Sequence, residues 1–192
     1  MTLRDGSSLA SSGPDLHPDA VRVLEAWRPP TPAQQALRDR YLAHLAVHPD
    51  GLSRSCLPDH LTASTLVLSH DHRQVLLTLH AKAGRWFQLG GHCEPGDTTL
   101  SGAATREATE ESGVAGLRLD PVPVQLSEHA VPFCAPGTEV HHLDVRFVAV
   151  AAAEAQHVVS EESLDVRWWP VDALPGLEPE LVELVRLALE RV

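Results

Sequence analysis

The 192-residue chain is poor in cysteine and in aromatic residues, which make up only 4% of it. Its three cysteines, Cys56, Cys93 and Cys134, lie far apart and show no Cys-x-x-Cys spacing. This pattern argues against a disulfide framework and against a thiolate zinc site, and it favours a reducing, cytoplasmic setting. The core of a soluble globular protein is therefore expected to be built mainly from Leu, Val and Ala.

Basic residues are also scarce, with 15 Lys and Arg against 26 Asp and Glu, for a formal net charge of −11. A protein that holds a nucleic-acid backbone needs a basic footprint, and no Lys/Arg cluster is present. The composition therefore argues against duplex nucleic acid as a partner. A phosphate-containing ligand is expected to be small, with divalent cations screening it from the acids.

Long apolar runs are missing as well. No stretch approaches the roughly 20 residues that a membrane span requires. The first residues, MTLRDGSSLASSGPD, contain no hydrophobic segment of the kind that signal peptides carry. We therefore expect no membrane association and a cytoplasmic location.

The length suits one well-packed domain with an extension. Residues 1–16 are rich in Ser, Gly and Asp and are predicted to be disordered. Residues 17–57 are predicted to form a helical extension with two helices, the second beginning at Thr31 as N-cap and Pro32 in the first turn. This extension would cover the main domain or make the contact of a homodimer.

The apolar period changes near residue 61, and residues 58–192 are predicted to form the main domain. Strand patterns occur in LTASTLVLS, QVLLTLHA, WFQL, VPVQLSEHAV, HHLDVRFVAVAA and DVRWWPV. A helix is predicted between the strands after WFQL and another at the end, in EPELVELVRLALERV. Strands on both sides of a central helix indicate an α/β fold of the sandwich type.

The central helix carries an unusual concentration of acids, in GGHCEPGDTTLSGAATREATEESGV. Helical spacing places Glu107, Glu110 and Glu111 on one face, where like charges repel. A hard divalent cation such as Mg²⁺ or Mn²⁺ would offset them, and the carbonyl of Gly91 could add a ligand because glycine lets the backbone approach closely.

Local signals also predict where this helix starts and stops. Asp97, Thr98 or Thr99 can cap its N-terminus, and Gly113 can close its C-terminus in the left-handed conformation. The buried stripe is predicted to consist of Leu100, Ala104 and Ala108.

The same stretch resembles the Nudix box, in which a glycine, five spacers, an acid and seven spacers precede Arg-Glu-aliphatic-x-Glu-Glu-x-Gly-aliphatic. The matching residues are Gly91, Arg106, Glu107, Ala108, Glu110, Glu111, Gly113 and Val114. Asp97 stands where the family usually has Glu, and eight residues separate it from Arg106. We interpret the extra residue as a longer loop that shifts Asp97, and we expect its substitution to matter less than that of the glutamates.

The resemblance implies a Nudix-type α/β/α sandwich with a mixed sheet and a hydrolase that cleaves a diphosphate linked to another moiety. It implies Mg²⁺ or Mn²⁺ held by Glu107, Glu110 and Glu111, with water attacking phosphorus and a carboxylate or histidine taking its proton. Arg106 would orient a glutamate or contact phosphate. Glu162 lies in a loop where many members carry a further metal-binding or general-base glutamate.

Weaker candidates surround this motif, and each also has an ordinary structural explanation. Lys82 and Arg85 could contact substrate phosphates, or they are exposed turn charges. Trp86 could line a base or sugar pocket, or it is a core residue. His142 could act as a base or touch phosphate, or it is a polar strand end.

The leading hypothesis is a pyrophosphohydrolase acting on a small nucleoside diphosphate derivative or nucleotide. The rival is a Nudix-fold ligand-binding or regulatory module without catalysis, although such modules usually lose glutamates that are all present here. An isomerase of the same fold acting on a prenyl diphosphate would need a Cys and acid pair that is not evident in the sequence.

Overall fold

The protein is described by a computed structural model, which covers residues 15–132, 134, 137, 139–159 and 163–192. In chain order its elements are α1 (Leu16–Ala26), α2 (Pro32–Val47), β1 (Asp59–Leu68), β2 (Gln74–His80), β3 (Arg85–Phe87), β4 (Leu89–His92), α3 (Leu100–Ser112), β5 (Arg118–Ala130), β6 (His141–Val150), β7 (Ser163–Pro170) and α4 (Pro179–Arg191). None of the helices in these ranges has the length and apolar character needed to cross a membrane.

The seven strands form one mixed sheet. Its main path runs β3-β2-β1-β6-β5, while β4 pairs with β1 and β7 pairs with β2. β1 and β6 are parallel over ten residues, and the other pairs are antiparallel. β1 lies in the middle and is buried along nearly its whole length, which explains its almost continuous apolar and Thr/Ser sequence.

Helices cover both faces of this sheet. Leu61 on β1 packs in a core cluster with Leu100 of α3, while Leu66 packs in a second cluster with Leu181 and Leu184 of α4. Residues of odd and even number on a strand face opposite sides, so α3 and α4 lie on opposite faces. The predicted α/β/α sandwich with a mixed sheet is confirmed.

The extension is part of the core on the α3 face. Leu16 and Leu24 of α1 and Tyr41 and Leu45 of α2 belong to the same buried cluster as Leu61. Helix α1 begins at Leu16, within the segment predicted to be disordered, because this side chain is fully buried. The rest of that prediction, residues 1–14, lies outside the described residues.

Polar bonds also anchor α2 to the sheet. Gln34 donates to the carbonyl oxygen of Leu126 on β5 at 2.9 Å and accepts from the amide of the same residue at 2.7 Å. Arg40 donates twice to Glu128, at 2.6 and 2.7 Å, and once to Asp59 at 2.9 Å. The extension therefore covers the main domain, and a homodimer contact stays a prediction.

Candidate active site

The ends of the acidic helix α3 lie where the sequence predicts them. Thr99 is the N-cap, and its side chain accepts from the amide of Gly102 at 3.0 Å. Gly113 adopts a left-handed φ of 69° and donates to the carbonyl of Thr109 at 2.7 Å. The predicted stripe of Leu100, Ala104 and Ala108 is fully buried. The helix therefore turns its opposite side, with the glutamates, away from the core.

A second cap comes from the extension, and it was not predicted. Asp19 of α1 accepts from the amide of Leu100, the first residue of α3, at 2.9 Å. Asp19 is itself buried, and a negative charge near a helix N-terminus is favourable. The position of α3 is thus set by residues 81 positions apart.

The glycines of β4 bring the backbone against two of the glutamates. The amide of Gly90 donates to Glu111 Oε2 at 2.9 Å. A Cβ added to Gly91 would lie only 2.8 Å from Glu107 Oε2, so a larger residue here would push this carboxylate aside. β4 is pinned in turn to β1, with Gly91 opposite Ala63 in the register. The structure thus brings together the strand and the helix that the Nudix box spans.

Arg106 ties the carboxylates of the motif together. One terminal nitrogen donates to Glu107 at 3.0 Å and to Glu110 at 2.9 Å. The other donates to Asp97 at 3.0 Å and to the carbonyl of His92 at 2.9 Å, while Nε donates to Asp97 at 3.1 Å. Arg106 therefore orients glutamates, as the family resemblance implies, and joins the loop to the helix.

The extra loop residue does not displace Asp97. Both of its carboxylate oxygens accept from Arg106, and one also accepts from the amide of Glu94 at 2.7 Å. The interpretation that the longer loop shifts Asp97 out of its supporting position is therefore wrong.

The site carries more negative than positive charge. Arg106 donates to Asp97, Glu107 and Glu110, while Glu111 is bound to a backbone amide. Burial raises the pKa of Glu107, and Arg106 only partly offsets that effect. Asp97 and Glu107 raise the pKa of Arg106 further above its usual value against the effect of burial. Four carboxylates, of which three are bonded to a single guanidinium, suit the binding of cations.

The remaining candidate residues lie apart from the network around Arg106, or outside the residues that the structure describes. Glu162, together with Glu161, falls outside the described residues. Arg85 pairs with Glu178 at 2.6 Å, and Lys82 is exposed in the turn before it. Trp86 packs against the core cluster of α4, with its ring edge-to-face on Trp169 at 5.3 Å. Trp86 thus makes the contacts expected of a core residue, which was the structural alternative to a role in a substrate pocket.

His142 belongs to a group of histidines that sequence reasoning missed. Its ring lies 5.0 Å from that of His60 and 4.9 Å from that of His92. Burial lowers the pKa of His142 to about 3 and that of His92 to about 4, so both rings are neutral at pH 7. His141 instead pairs with Asp59 at 3.2 Å. No short spacing in the sequence indicates this group of histidines, because its members come from different strands.

Comparison with known proteins agrees with this geometry. No curated protein sequence matches the chain significantly. A NUDIX family hydrolase from Clostridium perfringens is 22% identical, with a TM-score of 0.53 over 69% of this chain and 97% of that one. The NUDIX domain of Shewanella oneidensis NrtR, solved with ADP ribose, is 19% identical, with a TM-score of 0.54 over 78% and 96%. The E. coli dihydroneopterin triphosphate pyrophosphohydrolase is 23% identical, with a TM-score of 0.51 over 68% and 92%.

These solved structures establish the shared fold. The family model of the NUDIX domain matches residues 58–188, which is more than half of the chain and includes the whole acidic helix. The chain therefore belongs to the NUDIX family, and it is a hydrolase acting on phosphorus acid anhydrides.

Proposed function

We propose that the protein hydrolyses a diphosphate bond in a small nucleoside diphosphate derivative or nucleotide, with Mg²⁺ or Mn²⁺ held by Glu107, Glu110 and Glu111. The observation that carries the proposal is the placement of two carboxylates against β4. Glu111 is bound to the amide of Gly90, and Glu107 lies against Gly91. Both are thereby held against the two middle residues of the same strand.

The residues present fit a hard divalent cation. Oxygen donors are the ligands that Mg²⁺ and Mn²⁺ prefer, and this cluster offers carboxylates that a single arginine does not neutralise. Glu110 is exposed and reaches solvent, whereas Glu107 and Glu111 are half-buried. The predicted contribution of the Gly91 carbonyl stays part of the proposal.

The chain's own residues supply positioning. Arg106 fixes the carboxylates of Glu107 and Glu110, and Asp97 fixes Arg106. A bound cation would neutralise the diphosphate and lower the pKa of the attacking water. Glu162 is the proposed proton acceptor, by its resemblance to the loop glutamate of other members.

The net charge and one structural neighbour support the proposed substrate class. The formal charge of −11 argues against long nucleic acids, and a small diphosphate approaches best when cations screen the acids. One structural neighbour was solved with ADP ribose, which supports a nucleoside diphosphate derivative. Contacts of substrate with Lys82, Arg85, Trp86 and His142 stay predictions, and an Arg85–phosphate contact would have to replace its ion pair with Glu178.

The cysteines support a proposal about the cellular compartment in which the protein acts. Cys56, Cys93 and Cys134 are all free thiols, which suits a reducing cytoplasm. We expect no membrane partner. Mass in solution would test whether the protein forms a homodimer.

A panel of nucleotides, dinucleotides and nucleotide sugars tests the proposal. Phosphate release is followed after coupled phosphatase treatment, with Mg²⁺, with Mn²⁺ and with EDTA. We expect turnover of at least one diphosphate with either cation, loss of turnover in EDTA, and recovery with excess Mg²⁺. Full turnover in EDTA would contradict the metal mechanism. Binding of nucleotides without any turnover would favour a ligand-binding module without catalysis.

A further inference from the structure

Four potential metal ligands meet on the face of the sheet opposite α3. His60 lies on β1, His92 on β4 and His142 on β6, while Cys134 lies between β5 and β6. One donor atom of each lies within 4.8 Å of the donor atoms of the other three. In the sheet, His60 is paired with His142, and His92 is opposite Thr62, two residues along β1. The sheet itself therefore brings the three imidazoles together.

The spacing suits one ion. The bond lengths of tetrahedral zinc, roughly 2.0–2.3 Å, place neighbouring ligand atoms roughly 3.3–3.8 Å apart. Cys134 Sγ lies 3.6 Å from His92 Nε2 and 4.0 Å from His60 Nε2. Movements of about an ångström or less, within reach of side-chain adjustment, would bring such a set onto one centre.

The hydrogen bonds of the histidines leave lone pairs turned inward. His60 Nδ1 lies 3.0 Å from the carbonyl oxygen of Cys56 and must donate to it, so Nε2 carries a lone pair. A backbone carbonyl bonded to the other ring nitrogen is a common support of metal-ligating histidines. His142 Nε2 is buried and has no hydrogen-bond partner among the described residues. An unsatisfied buried polar atom is costly, and a metal ion would satisfy it.

We propose that His60, His92, His142 and Cys134 bind one transition-metal ion of the Zn²⁺ class. Three imidazoles and a thiolate are softer ligands than the carboxylates of α3, so this site and the Mg²⁺ site select different ions. Binding releases the thiol proton of Cys134 to solvent, because the thiolate is the ligand. Four protein ligands make the site structural, with no open position.

The site would tie Cys134 to β1, β4 and β6. It would also reach the motif, since the carbonyl of His92 accepts from Arg106 at 2.9 Å and His92 follows Gly91. The sequence argued against a thiolate zinc site because it shows no Cys-x-x-Cys. That pattern reports only ligands close together in the chain, whereas strand pairing gathers the three histidines here and the fold adds Cys134.

Cobalt substitution of the full chain tests the proposal. Metal-free protein, kept reduced with a non-thiol reductant, is titrated with Co²⁺ in the presence of excess Mg²⁺. We expect one equivalent to give the intense visible bands of four-coordinate Co²⁺ and a near-ultraviolet thiolate charge-transfer band, both removed by Zn²⁺. Weak bands of six-coordinate Co²⁺, or binding that excess Mg²⁺ abolishes, would overturn the proposal.

Variants separate this site from the acidic one. Cys134→Ser, at a half-buried position outside the core clusters, should lose the charge-transfer band and weaken Co²⁺ binding by more than the 10–100-fold that an outer partner typically contributes. His142→Ala should lose the four-coordinate spectrum. The controls Cys93→Ala and Glu111→Gln should keep it. An unchanged spectrum in Cys134→Ser, or a spectrum lost in Glu111→Gln, contradicts the assignment.

Discussion

Arg106 and Asp97 form a bidentate pair, with nitrogen–oxygen distances of 3.1 and 3.0 Å, across a loop that is one residue longer than the family pattern. Asp97 is 8% exposed, so the pair is largely shielded from water. Since Arg106 also holds Glu107 and Glu110, we predict that Asp97→Ala lowers both stability and turnover. The loss of stability should be about 1.5–3 kcal/mol, the cost of removing a hydrogen-bonded charged partner.

Urea unfolding and steady-state kinetics measure the two effects of Asp97→Ala. Asp165→Ala is the matched control, because Asp165 makes one exposed ion pair with Arg167 at 2.7 Å. That control should change the free energy of unfolding by less than about 1 kcal/mol. Equal effects of the two substitutions would show that the Arg106–Asp97 pair has no special structural role.

Glu111 is predicted to matter for catalysis and not for folding. Glu111→Gln keeps an oxygen that can accept from Gly90, relieves repulsion along α3, and removes one negative ligand. Turnover should fall by orders of magnitude, while the melting temperature without metal holds or rises. Glu190→Gln, in an exposed pair with Arg186 on α4, is the control and should leave both unchanged. Turnover of Glu111→Gln within a few fold of the parent would refute the catalytic metal site.

Asp19 is predicted to stabilise α3 from outside the residues that match the family model, which begin at residue 58. Asp19→Ala removes the acceptor of the Leu100 amide and should cost about 0.5–2 kcal/mol, the usual range for a lost N-cap. Asp15→Ala is the control, since Asp15 caps α1 without a side-chain bond, and it should cost less than about 0.5 kcal/mol. Denaturant unfolding measures the free energy of unfolding of both variants. Equal losses in the two would argue against a cap from Asp19.

The link between α2 and β5 should depend on pH. The hydrogen bonds from Arg40 lower the pKa of Glu128, so this pair stabilises the fold fully above the unfolded pKa of a glutamate, roughly 4.3. The contribution is lost as the pH falls through the lowered folded pKa. The melting temperature of Arg40→Met should therefore lie below that of the parent at pH 7, and the gap should close at acidic pH. A gap that does not narrow as the pH falls through the acidic range would show that packing, and not charge, is responsible.

Local chemistry made the acidic helix predictable. Thr99, as one of three candidates, and Gly113 are predicted as caps because these roles depend only on the nearest residues along the chain. The shared face of the glutamates follows from helical spacing in the same way, whereas the role of Arg106 is implied by the family resemblance. The sequence does not show which distant residue each of these side chains contacts in the folded protein.

Long-range partners account for the errors. Asp97 was expected to be displaced because one extra residue was counted, but the position of Arg106 depends on its contacts with the loop and with His92, not on a count. The cap from Asp19 and the histidine cluster each join residues that only the folded sheet and extension bring together. β4 was also not separated from β3, since Gln88 alone divides them.

The parallel pairing of β1 with β6 has a consequence for how the chain acquires its structure. Asp59 and His141, at the start of these strands, are 82 residues apart. Closing such a large loop is entropically costly, and folds dominated by such contacts form slowly. During synthesis on the ribosome, β1, the most buried strand, cannot complete its pairing until β6 has been made. Until then, its apolar residues can be shielded only by the elements that precede β6 in the chain, among them α1, α2 and α3 on one face and β2 and β4 at its side.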